Sequence, residues 1–244
     1  MLKREEINWD EIREVGNQLE QLEVCEILRW CWQKYGKRAA IGTSFQGGGL
    51  VVLNEAMENG LDFPVFTIDT GLLFSESLEL KKKLEERYGI IIESLFPELS
   101  IEDQAKEFGP ELWKRNPDLC CTLRKVIPLQ KKLTQLDVWI TGLRRQQSES
   151  RTKIKVLEIY KFDVIYDRYF IKLNPVAGWS RDQVRDYLKK WEIPTNPLLE
   201  KGYRSIGCMP CTRPIAEGEN ERAGRWTGFD KSECGIHTFL GANI

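Results

Sequence analysis

Near the carboxyl end of this 244-residue chain, Glu233-Cys234-Gly235-Ile236-His237 places a thiol three residues before the only histidine. A cysteine is the strongest side-chain nucleophile near neutral pH, and neighbouring cations raise its thiolate fraction. Cys234 is therefore the candidate nucleophile, and His237 a candidate source of charge or of a proton. Just upstream, Arg222 and Arg225 stand three apart beside Trp226. Arginines grip phosphate or sulfate oxygens in forked geometry better than lysines do. Two further thiol pairs, Cys120-Cys121 and Cys208-Met209-Pro210-Cys211, offer four sulfurs of the kind that bind zinc or an iron–sulfur cluster. The adjacent pair makes a poor zinc knuckle, because neighbouring side chains diverge unless the backbone is held unusually. A dithiol role for Cys208 and Cys211 would call for a preceding thioredoxin-like βαβ unit, which the pattern lacks. Cys25 and Cys31 lie in an apolar helical stretch and read as buried small hydrophobes.

Two loops could receive an anion. Ser44-Phe45-Gln46-Gly47-Gly48-Gly49 falls between a strand pattern and a helix pattern, where glycines and a helix N-terminus let backbone N–H groups approach a phosphate. It is neither a Walker loop nor the spaced dinucleotide fingerprint, and a tight turn alone would also select glycine. Ile68-Asp69-Thr70-Gly71 follows the next strand pattern. Both lie where open α/β sheets bind ligands, at the carboxyl ends of parallel strands. The near-neutral balance of 36 basic and 37 acidic residues hides a segregation. Residues 114–155 hold eleven Lys or Arg and three acids, a net +8 against −9 elsewhere, and this stretch includes the Cys120-Cys121 pair. That juxtaposition favours an anion pocket over a merely solvated basic face.

The elements that must position these residues are written in the periodicity. Residues 8–36 read as helical, with Gly36 as a stop. Strands are expected at 39–45, 63–68, 90–95 and 138–142, and helices at 50–58, 75–88, 100–108 and from about Cys120 to Leu133. Two short β-rich segments follow at 156–160 and 169–173, then a helix capped by Ser180 and ended by Pro194. Strands alternating with helices imply parallel crossovers, hence an α/β fold with a layered, mostly parallel sheet and helices on both faces. From Lys201 the periodicity fades into Gly, Pro and charge, which reads as a mobile C-terminal tail. The expected organisation is an N-terminal helical segment (1–36), an α/β nucleotide-binding and catalytic domain (37–203) and a C-terminal segment carrying the CxxC and Cys234 (204–244).

At 41% apolar and 30% charged, the composition is that of an ordinary globular protein able to bury a core. No apolar run approaches the roughly 20 residues that cross a bilayer. The charged start MLKREEINWDE lacks the apolar core of a secretory signal. Seven cysteines without an export signal point to metal or redox chemistry in the cytoplasm rather than a disulfide frame. A net charge of −1 excludes a generally basic nucleic-acid coat.

With these residues assembled, the sequence resembles the assimilatory adenylyl-sulfate (APS) reductases, relatives of the PAPS reductases. The likeness begins near residue 38 and is densest in CCTLRKVIPLQKKL…DVWITGLRRQQSESR, in NPVAGWSRDQVRDYLKKWEIPTNPLLEKGYRSIGCMPCTRP and in ERAGRW…KSECGIH. The resemblance implies an adenine-nucleotide α-hydrolase-like domain and a [4Fe–4S] cluster on Cys120, Cys121, Cys208 and Cys211. It places the nucleophile on Cys234, with Ile236 where the family reads Leu, and phosphosulfate contacts on Lys125, Arg222, Arg225 and His237. Ser44 and Gly71 carry over as nucleotide contacts from the two loops. The chain departs from the family there: Gln46-Gly47-Gly48-Gly49 replaces a common SFxAED, Leu72 stands where Arg often follows, and Ser75 where Pro is frequent.

The implied activity is reduction of APS to sulfite and AMP through a Cys-S-sulfonate, with a thioredoxin or glutaredoxin-like dithiol as partner. Neither nucleic acid nor membrane is an expected partner, and a homo-oligomer is compatible with the sequence. The alternative is reduction of PAPS, or of both substrates. An ATP pyrophosphatase of the same fold would show SGGKDS at the first loop, which is absent. A noncatalytic zinc or nucleic-acid module would leave ECGIH and the paired arginines unexplained.

Overall fold

The computed structural model describes residues 1–163, 167–231 and 233–237; the remainder of the C-terminal segment, 238–244, and Ser232 of the KSECGIH block lie outside the described residues. In chain order the elements are β1 (Leu2–Lys3), α1 (Trp9–Leu19), α2 (Val24–Tyr35), β2 (Ala39–Gly42), α3 (Gly47–Glu58), β3 (Val65–Ile68), α4 (Ser75–Tyr88) and β4 (Ile92–Leu95). There follow α5 (Ile101–Phe108), α6 (Leu112–Arg115), α7 (Pro117–Cys121), α8 (Ile127–Leu133), β5 (Val138–Ile140), β6 (Leu157–Asp163), β7 (Arg168–Leu173) and α9 (Arg181–Lys190). Among the described residues they form a seven-stranded sheet, and its central run β7-β5-β2-β3-β4 is parallel throughout. β1 and β6 add antiparallel pairings to β7. The layered, mostly parallel α/β expectation holds. The chain steps outward from β2 to β3 to β4, then returns to place β5 on the other edge of β2. That reversal opens a crevice beyond the carboxyl ends of β2 and β5.

Side-chain alternation builds the two apolar layers. On β2, Ala39 and Ile41 face one core and Ala40 the other. On β5, Val138 and Ile140 oppose Trp139, and on β7, Tyr169, Ile171 and Leu173 oppose Phe170. Helices α2, α3, α4 and α9 bury Leu28, Leu53, Leu84 and Val184 against the first face. The second face receives Leu129 and Leu133 of α8 and, from the C-terminal segment, Ile236.

The expected helical segment 8–36 is divided. Glu20 leaves the helix to accept the Val156 N–H (2.9 Å) and an Arg145 N–H (2.7 Å), and Glu23 opens α2 in a capping box with Glu26. Long-range partners, invisible to periodicity, end α1. Ser180 caps α9 with Gln183 as expected, and Ser100 caps α5. Among the described residues no helix is long and apolar enough to cross a membrane.

Candidate functional site

The carboxyl ends of β2, β3 and β5 open into a cleft of about 220 Å³. Ser44, Lys125, Arg222, Arg225, Cys234 and His237 all line it, so residues from widely separated parts of the chain meet there. Gly71 does not line it. Its left-handed conformation (φ +70°) turns the chain over the Arg124 guanidinium, which donates to the Thr70 carbonyl (2.6 Å) and to Gln104 (3.0 Å).

The glycine run packs closely against its neighbours and also opens α3 at the cleft, which Gly48 and Gly49 line. Gly47, Gly48 and Gly49 form the first turn of α3 and none has positive φ. A Cβ on Gly48 would overlap the Gly142 carbonyl, and one on Gly142 would overlap the backbone of Gly48 and Gly49. On Gly47 it would stand 2.8 Å from Val184, and on Gly49 2.7 Å from the Thr43 hydroxyl. The backbone of α3 is thereby drawn against the segment after β5. Gln46, which precedes the three glycines, donates to the Ile206 carbonyl (2.7 Å) and accepts the Ile206 N–H (2.9 Å). This amide pairing fastens the segment leading to Cys208.

Cys120 and Cys121 close α7, and the chain continues through a π turn, Thr122–Val126, into α8. Pro128 explains the widening: it has no N–H for the Arg124 carbonyl, and its ring would clash with that carbonyl in a regular α-helix. Lys125 sits within the wide turn. The Cys208–Cys211 turn is held by the Met209 N–H on the Leu72 carbonyl (2.8 Å) and by Thr70 Oγ1 against Cys208 Sγ (3.3 Å). All four cysteines line one small cavity together with Arg124 and Lys125, and none is in a disulfide.

Their ionisation reflects this crowding. Burial and then its thiol neighbours push Cys120 up to about 12, and burial and then Cys208 push Cys211 up to about 11. Burial also raises Cys208, but Lys125, Thr70 and Arg225 outweigh it and the thiol is lowered. Burial alone would lower Lys125; the sulfurs of Cys208, Cys234 and Cys121 reverse this and keep it an ammonium. Among the described residues, no three His, Cys, Asp or Glu side chains converge on a single-ion site.

The C-terminal segment carries the nucleophile into the cleft. Arg225 lies 4.4 Å over the Trp226 ring and donates to Ser205 (3.3 Å), leaving its buried Nε without a hydrogen-bond partner among the described residues. Gly207 leaves room for this placement, since a Cβ there would overlap the Arg225 guanidinium and displace it. His237 stacks on Trp139 at 5.2 Å. Burial first, and then Lys172, Arg151 and Arg222, lowers His237 well below its ordinary value. The sequence suggests charge or a proton from His237; the structure gives a neutral imidazole, able to offer a hydrogen bond. Behind it, Lys172 is enclosed between the Trp139 (5.7 Å) and Tyr160 (5.4 Å) rings, with Glu158 at 3.8 Å.

Sequence reasoning missed Arg151, Glu233 and Lys172. Arg151 ends the SESR block of the basic stretch, and Glu233 is the one acid of ECGIH. An acid beside a nucleophile amid cations is a signal that it needs a partner. Lys172 gives no signal in a β-rich stretch.

The Phosphoadenosine phosphosulfate reductase domain family matches residues 38–214. The chain is 40% identical to adenosine 5'-phosphosulfate reductase of Halalkalibacterium halodurans over 229 residues, covering 93% of this chain and 96% of that one. It is 39% identical to adenosine 5'-phosphosulfate reductase 2 of Bacillus subtilis, covering 94% and 95%. The phosphoadenylyl-sulfate (PAPS) reductase of Candida auris, solved as a phosphate complex, superimposes with TM-score 0.71 at 28% identity, covering 87% of this chain and 98% of that one. Fold, sequence blocks and relatives agree over nearly the whole length, and the chain belongs to the phosphoadenosine phosphosulfate reductase domain family.

Proposed function

We propose that this protein reduces adenosine 5'-phosphosulfate to sulfite and AMP through a sulfonated Cys234. The observation that carries the reading is the placement of Cys234 in the switch-point cleft beside Lys125, Arg222 and Arg225. In the first step the Cys234 thiolate attacks the sulfur of APS. The S–O bond to the phosphate breaks, AMP leaves with that electron pair, and Cys234-S-sulfonate remains. In the second, one thiolate of a thioredoxin or glutaredoxin-like dithiol attacks the Cys234 sulfur and sulfite departs with the electron pair. The second thiol then resolves the mixed disulfide, so the dithiol is oxidised as sulfur is reduced. Lys125, Arg222 and Arg225 offset the phosphosulfate charge that would repel a thiolate, and neutral His237 donates a hydrogen bond. The segment must open for the dithiol to reach Cys234.

Cys120, Cys121, Cys208 and Cys211 fit a [4Fe–4S] cluster. Each iron of such a cube takes its own cysteine, so its ligands surround a cavity rather than converge on one ion. When bound, the cluster supplies a fixed charge beside Lys125. Cys234→Ser tests the reading: APS binding is retained, while mass spectrometry of the intact protein loses the SO₃ adduct. Persistence of that adduct in the variant would overturn it. Sulfite release from APS and from PAPS, measured in parallel, decides between the substrates. Iron and sulfide counts after anaerobic purification test the cluster.

A further inference from the structure

We propose that Arg151 and Glu233 form a clasp that holds the nucleophile segment closed over the cleft and limits how often Cys234 is exposed. The Glu233 carboxylate takes Arg151 in forked geometry, Nε to one oxygen (2.9 Å) and Nη2 to the other (2.8 Å). Arg222 donates to the second oxygen (3.0 Å), and the Ser148 and Ser150 hydroxyls stand 3.3 Å from the first. Both partners are buried, their side chains 10% and 8% exposed, so solvent screens the pair little. Burial would raise Glu233, but Arg151 and then Arg222 hold its carboxyl below the ordinary range, and it is ionised at neutral pH.

The clasp joins two parts of the molecule that nothing in the sequence ties together. Arg151 ends a short turn after β5 and is itself braced by Gln147 Oε1 (2.6 Å). Glu233 is bonded through the chain to Cys234, so fixing its carboxylate fixes the nucleophile's backbone one residue away. The charge arithmetic also matters. One carboxylate between two guanidiniums leaves a net positive site, so an anionic substrate is still attracted and the thiolate does not face an unpaired acid. Glu233 is therefore a positioning residue, acting through Cys234. A buried charge pair loses most when one partner is removed, because the other is left uncompensated.

The inference rests on the proposed need for the segment to open, yet its test does not require the reaction. In the holoenzyme without substrate, the rate at which a bulky maleimide labels Cys234 is followed by peptide mapping in wild type, Glu233→Gln, Arg151→Gln and the double variant. Each single variant is expected to label at least tenfold faster. The double variant should show less than the product of the two single effects, since both break one contact. Arg151→Lys, which keeps the charge but loses the fork, should fall between wild type and Arg151→Gln. With APS, Glu233→Gln should lower the single-turnover rate of sulfonation while KM changes less than threefold. Labelling within twofold of wild type in the folded single variants, or fully multiplicative effects, would overturn the clasp. Faster labelling in a protein that forms no adduct from APS would retain the clasp and sink the reductase reading instead.

Discussion

His237 is stacked on Trp139, and burial first, then the nearby Lys172, Arg151 and Arg222, lower it so that its imidazole stays neutral. Because its value lies well below the ordinary 6.5, kcat/KM measured between pH 6 and 8 should show no imidazole inflection. His237→Asn, which keeps a hydrogen bond, should retain more activity than His237→Ala. A clear inflection lost on replacement would show that the charged form acts. Lys172 makes a separate pH statement. Burial, only partly offset by Glu158, lowers it to about 8. The unfolded chain therefore binds a proton that the folded chain has released across the window from about 8 up to the ordinary lysine range near 10.5. Stability from this group rises with pH through that window, by about 2 kcal/mol between pH 8 and 10. Urea midpoints should move upward accordingly, and the Lys172→Met/Glu158→Gln double variant should lose that slope. Types such as Cys234 and Arg222 announce themselves in a sequence, whereas the state of His237 and Lys172 depends on what tertiary structure packs around them.

The element that brings chemistry to the cleft is the helix interrupted at Thr122–Val126. Pro128→Ala restores an N–H for the Arg124 carbonyl and allows the turn to tighten, which would rotate Lys125 away from Cys208 and Cys234. Turnover is expected to fall about tenfold with melting temperature held or raised, and an unchanged turnover would show that the wide turn is incidental. Gln46→Ala removes both bonds to Ile206 and should cost about 1–3 kcal/mol, read from denaturant midpoints. Strands β2 to β7, α9 with its Ser180 cap and the mostly parallel order were legible because local pattern determines them, while the two-residue β1 exists only through its pairing with β7. The break at Glu20–Glu23 and the π turn were not: the first depends on Arg145 and Val156, and the second on reading Pro128 as a widener rather than a stop.

Over the whole molecule, the second sheet face is closed partly by α8 and partly by the C-terminal segment, through Ile236 and His237. Deleting residues from 232 onward should leave the parallel sheet folded by circular dichroism, while Trp139 becomes open to a soluble fluorescence quencher. Unchanged quenching would mean that the segment does not cover that face. The sequence-level charge segregation resolves into separate roles: Lys125 and Arg151 line the cleft, Lys131 and Lys132 pair with Glu98 and Glu93, and Arg145 pairs with Glu20. The site's thiols and cations were legible because their chemistry restricts residue type, whereas the glycine run, which lines the cleft at the start of α3, also packs tightly, and close backbone approach and anion binding select the same residue. That close approach constrains how such a chain can diverge. Position 47 abuts only the Val184 side chain, so alanine there becomes acceptable wherever residue 184 shortens, and the two should vary together among homologues. Position 142 abuts the backbone of Gly48 and Gly49, which no side-chain exchange elsewhere can relieve, so glycine should persist there wherever 48 and 49 are also glycine, while the acid that relatives commonly carry at 48 requires the two backbones to stand further apart.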